Sequence, residues 1–190
     1  YFGGSYWAGS GSVVSNSAIS PSGYQDASTN NPTGIYPSTT GIGDATITNT
    51  ASIFAKANPS GASVLQFGIN RYGTGDGIIC SFDLLAGTKG TPVTSGTASG
   101  AIADIENYGN GWYRCSITGI ASTTAGSLSF NPVNDCFIYG AQLEPNATYA
   151  SSYIPNHGES GGVTRAGDYC YKSGLGDVIG QTEGTLFFDW

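Results

Sequence analysis

Methionine is absent from all 190 residues, histidine occurs once, and charged side chains make up only 10% of the chain. Each scarcity narrows what the protein can be. With no methionine even at position 1, the sequence is expected to be a processed product or a piece of a longer one, its ends cut edges. The lone His157 lies in the connector PNHGES, and Cys80, Cys115, Cys136 and Cys170 show neither CxxC nor Cys/His spacing, so no zinc pattern exists. No Ser or Cys occupies a GxSxG setting, and an enzyme is not expected. Six Lys or Arg against 13 Asp or Glu leave a net charge of -7, which repels a phosphate backbone and excludes nucleic acid as a partner. No apolar run approaches the ~20 residues of a membrane-spanning helix, so no membrane partner is expected. Helix-favouring residues never accumulate into a segment, which removes helices from the expected architecture.

What remains is rich in glycine, with 30 residues, and carries 39% hydrophobic and 12% aromatic residues. That composition supplies a core and many tight turns, and it excludes a disordered chain. Period-2 alternation marks the strands. Ile47, Ala51, Ile53 and Ala55 alternate with Thr48, Thr50, Ser52 and Phe54, and the turn Asn58-Pro59-Ser60-Gly61 follows. Leu65, Phe67 and Ile69 alternate with Gln66 and Asn70; Ile78, Cys80, Phe82 and Leu84 form the next apolar face. In GNGWYRCSITGI, Tyr113, Cys115 and Ile117 oppose Trp112, Arg114, Ser116 and Thr118. In FIYGAQLE, Phe137, Tyr139, Ala141 and Leu143 read as one apolar face. Evenly spaced short strands of this kind build an all-β, antiparallel two-sheet sandwich or jelly roll. The expected core is Leu65, Phe67, Ile69, Phe82, Leu84, Tyr113, Ile117, Phe137, Tyr139 and Leu143, with Trp7 as a further plug. Cys80 and Cys115 point into one core, either as a disulfide or as free thiols packing like small hydrophobes.

The opposite faces carry the candidate chemistry. Trp112, Arg114, Gln66 and Asp83 combine an aromatic ring with planar polar groups, the set that stacks on a pyranose and takes its hydroxyls. Tyr72, in the loop NRYGTGD, adds a rim aromatic. The competing reading makes these faces merely solvated, with Trp112 covering a sheet and Arg114 paired to Asp83 or Glu144. A carboxylate pair at the ~5 to 9.5 Å of a glycoside hydrolase would need Asp83 beside Asp104 or Glu106. Asn146-Ala147-Thr148 is a glycosylation sequon.

The motifs GNGWYRCSIT, YGAQLE, SYIP and TRAGD resemble the carbohydrate-binding-module-like jelly rolls of phage tail and head fibres and of some secreted bacterial proteins. That resemblance implies a jelly roll over residues 1–168, then a linker and the first strand of a concanavalin-like domain, or an assembly strand, over 169–190. It implies a non-catalytic module in an extracellular or virion protein whose partners are glycans or cell-surface polysaccharide. The alternative is a structural fibre subunit that self-associates by β-strand addition, with Phe187, Phe188 and Trp190 covered by a neighbour. Many such modules hold a structural calcium through acidic residues where this chain has Gly140 and Ala141. No cofactor is therefore expected; the alternative, a structural calcium, would have to draw its oxygen donors from the dispersed Asp26, Asp44, Asp135 and Asp168, which form no EF-hand pattern.

Overall fold

A computed structural model of the chain describes residues 7–8, 14–29, 36–37, 43–130, 132–155 and 163. Two compact units divide the chain, Tyr1–Gly158 and Glu159–Trp190, and every described residue except Val163 belongs to the first. The expected boundary at 168/169, His157, Asp168, Cys170 and the aromatic residues 187, 188 and 190 lie outside the described residues, as does the side chain of Trp7.

Strands account for all regular structure, with no helix among the described residues. In chain order they are β1 (Trp7–Ala8), β2 (Val14–Ala18), β3 (Ala27–Thr29), β4 (Tyr36–Pro37), β5 (Asn49–Lys56), β6 (Val64–Arg71) and β7 (Gly77–Asp83). There follow β8 (Thr88–Lys89), β9 (Val93–Ser95), β10 (Ser99–Asn107), β11 (Trp112–Ile120), β12 (Leu128–Phe130) and β13 (Phe137–Pro145). Six of them form one antiparallel sheet in the order β10-β11-β5-β13-β3-β2. Five form the other, β12-β6-β7-β8 with β9 also on β7, and β1 pairs with β4. The described residues thus form an all-β antiparallel sandwich of two main sheets.

The alternation in β5, β6, β7 and β11 aims one face of each sheet at the other. Ala51, Ile53 and Ala55 meet Leu65, Phe67, Ile69, Ile78, Phe82 and Ile117 in a continuous buried core. Such a core is about 10 Å thick. Phe67 and Phe130 lie 5.6 Å apart at its centre. Cys80, Cys115 and Cys136 are free and buried there, so the Cys80–Cys115 disulfide is not formed. Burial raises all three thiols, Cys136 to about 12 with Asp135 adding to the effect.

Two local features set the register. At the β10–β11 hairpin, Gly109, Asn110 and Gly111 all have positive φ (78°, 52° and 78°), a run that only Gly and Asn accept cheaply. The GNG before Trp112 is therefore the turn that aligns Glu106 with Arg114 and Asp104 with Ser116. In β13 a bulge intervenes: Tyr139 pairs with Phe54 and Gln142 with Ser52, so Gly140 and Ala141 together oppose Ile53. One extra residue inverts the alternation. Ile138 is core on one side of the bulge, and Ala141 and Leu143 pack against the core on the other. Phe137 and Tyr139, expected inside, consequently stand on the outer face. Gly140 has φ 58°, and a Cβ there would sit 3.1 Å from Phe54 and 3.2 Å from Tyr153.

Candidate functional site

The outer face of the six-stranded sheet is only partly solvated. Across β5 and β11 it presents Phe54 beside Trp112 and Arg114, then Ser52, Thr50 and Thr118. Over its first half, Trp112 is 2% exposed, packs with Phe54 and Ala27, and donates its indole N–H to the Ile19 carbonyl at 3.0 Å. Phe54 is ringed by Tyr108 at 4.8 Å, Tyr153 at 5.8 Å and Tyr139 at 6.1 Å. The Tyr153 phenol is pushed up to about 12 by burial first, then by Tyr139 and Asp26 nearby. This aromatic cluster seals half of the face.

The other half is an open groove of about 330 Å³. Its floor is Arg114, Ser116 and Thr118 of β11, one wall is Asp104 and Glu106 of β10, and the other carries Tyr149. Tyr149 is 73% exposed, the most open ring bordering the groove. The segment bearing it is pinned to the sheet by the polar side chains of QLE. Glu144 accepts the Ser151 amide at 3.1 and 3.2 Å, and Gln142 accepts that of Ile154 at 2.8 Å. Thr50 donates to the Ala147 carbonyl at 2.8 Å and shares a 2.8 Å hydrogen bond with Thr118. Asn146, in the sequon, has φ 58° and donates its amide to Thr48 at 2.8 Å, turning the chain towards the groove.

Arg114 is the unusual group. It is 5% exposed, donates from Nη2 to Ser52 Oγ at 2.9 Å, and stacks over the Phe54 ring at 5.5 Å. Its Nε–H has no hydrogen-bond partner. A guanidinium carries five N–H donors, and a buried cation without acceptors is costly. Neither expected partner reaches it: Asp83 Oδ1 caps the Leu85 and Ala86 amides at 3.0 Å each, which lowers its carboxyl, and Glu144 holds Ser151.

The five residues singled out from sequence do not converge. Trp112 and Arg114 share the outer face of the six-stranded sheet, but Trp112 is sealed and cannot offer a ring to a ligand, because the segment before β3 lies over it. Gln66 and Asp83 point outward from the five-stranded sheet, paired to Ser81 and Val64 and separated from Arg114 by the core. Tyr72 is 45% exposed on the β6–β7 turn. Asp83 is thereby also separated from Asp104 and Glu106. Sequence reasoning missed Tyr149, and it weighed Asp104 and Glu106 against Asp83 instead of beside Arg114 on the wall of β10. The signal for the latter was present, since residues 104 and 106 share one face of a strand whose hairpin register to Arg114 the GNG turn dictates.

Asp44 caps Thr46, Asp26 accepts from Ser22, and the Asp135 carbonyl accepts the Ala62 amide. Among the described residues no three His, Cys, Asp or Glu side chains gather as metal ligands. No family model and no curated protein matches the chain.

Proposed function

We propose that this sandwich is a non-catalytic glycan-binding module, serving adhesion in a phage fibre or secreted bacterial surface protein, and that the groove over Arg114 is its binding site. The observation that carries the reading is the groove's composition. An exposed ring, two carboxylates and a guanidinium line one concavity, the set that stacks on a pyranose and brackets its hydroxyls. Support for the jelly-roll description comes from connectivity: β5 passes to β6 and β7 in the opposite sheet, β10 and β11 return, β12 crosses and β13 returns between β5 and β3. Localisation and adhesion rest on the resemblance carried by GWYR, YGAQLE and SYIP.

The fibre-subunit alternative is favoured by one observation, the nine-residue β10, which among the described residues pairs with β11 alone. Open edges accept added strands. That edge nevertheless bears Asp104 and Glu106 and an irregular register between Ser99 and Ile102, devices that discourage pairing, so adhesion is the preferred reading. Glycan-array screening of the purified chain tests it. Binding that Tyr149→Ala weakens at least tenfold, with the melting temperature unchanged, is expected; a blank array with concentration-dependent oligomers that Ile102→Lys disrupts would replace it with the fibre reading.

A further inference from the structure

The charge arrangement of the groove restricts which glycans fit, an inference that rests on the glycan-binding reading. Glu106 stands directly across from Arg114 and Asp104 across from Ser116, and neighbouring strands lie about 4.8 Å apart. Residues two apart on one strand share a face, so the two carboxylates form a row beside the guanidinium. Both are exposed. Arg114, a lining residue that also holds Ser52 through Nη2, is a pure donor, and the carboxylates are pure acceptors.

A ligand spanning this width must accept on one side and donate on the other. Adjacent hydroxyls do both, since each has one O–H and two lone pairs. A carboxylate or sulfate substituent can only accept. It would satisfy Arg114 while standing within a few ångströms of Asp104 and Glu106, where like charges repel. Among the ionisable groups of the lining other than Tyr149, one cation faces two anions, and the chain as a whole carries -7, so the long-range field opposes an acidic ligand as well.

We infer that the groove selects neutral, vicinal-diol-bearing pyranosides and rejects glycans with acidic substituents, Arg114 and the Asp104/Glu106 row dividing the acceptor and donor roles of one diol. Tyr149 supplies the stacking face.

The test uses the whole chain and matched pairs: glucosides against glucuronides, galactosides against galacturonides, and a neutral oligosaccharide against its sialylated form. After an array screen, affinities are measured by calorimetry for wild type and for the Asp104→Asn, Glu106→Gln double variant, whose folding is verified by melting. Wild type should bind the neutral member at least tenfold more tightly, and the double variant should narrow that gap by strengthening the acidic member. Equal or tighter binding of acidic members overturns the selectivity and leaves the glycan reading standing. A neutral preference that the double variant does not move overturns the role given to the carboxylates. If no member of any pair binds, the glycan reading itself fails, and this inference with it.

Discussion

Replacing Trp112 separates a binding platform from a structural seal. The ring is 2% exposed, lies against Phe54 and Ala27, and makes a 3.0 Å hydrogen bond to Ile19. Trp112→Ala removes a fully packed aromatic, which costs about 3–5 kcal/mol. The Ile19 carbonyl also loses its donor, a part-buried bond whose loss adds to that cost. In a domain of this size each kcal/mol lowers the melting temperature by about 2–4 °C, giving a fall of about 6–20 °C. Trp112→Phe retains most of the apolar contact and gives up the N–H, so its cost is smaller, about 1–2 kcal/mol. Urea denaturation followed by far-ultraviolet circular dichroism reads both values, with the slope checked for two-state behaviour. A Trp112→Ala variant with an unchanged midpoint and abolished glycan binding would refute the buried seal and restore the platform.

Other expectations follow from the same geometry. Gly140→Val should cost about 1–3 kcal/mol, because the bulge needs positive φ and Phe54 and Tyr153 crowd the site; an unchanged urea midpoint would remove the bulge from the fold. In a Cys170→Ser background, Cys80, Cys115 and Cys136 should resist a thiol reagent at pH 8 and react once unfolded, since all three are buried and their thiols raised. Tyr153, raised to about 12 from an ordinary value of 10, disfavours ionisation when folded. Its contribution is intact below pH 10 and declines as pH rises from 10 towards 12, so Tyr153→Phe should flatten that alkaline loss. Asp76, lowered by hydrogen bonds from Ser122 and Thr97, acts at the other end. Its contribution is present above the ordinary carboxylate value of about 3.9 and disappears as pH falls through the lower folded value, so Asp76→Asn should reduce the acid dependence of the melting temperature.

The strands were legible because alternation survives in them. Leu65, Phe67, Ile69, Phe82, Leu84 and Ile117 are all buried core, and each lies in a run whose period of two is uninterrupted. FIYGAQLE misled because its pattern is continuous in sequence and broken in space: a single bulge at Gly140 places Tyr139 outside and Leu143 against the core. A glycine inside a strand is the only local hint of that break. Trp112 and Arg114 were correctly set on the polar side of β11. The burial of Trp112 depends on the segment before β3 and on the cluster that Tyr153 joins, remote parts of the chain that no strand pattern announces. For the same reason Tyr149 was invisible as a site residue. It reaches the groove only because Thr50, Glu144 and Gln142 fasten the returning chain across the sheet.

The most direct test of the central claim is a titration of the isotope-labelled chain with its best neutral glycan, followed by amide chemical shifts. The groove account predicts saturable shifts concentrated at residues 102–106, 114–118 and 148–150, with Gln66, Tyr72 and Asp83 still. Shifts confined to those three residues and their neighbours, or no shift at millimolar glycan, would contradict it.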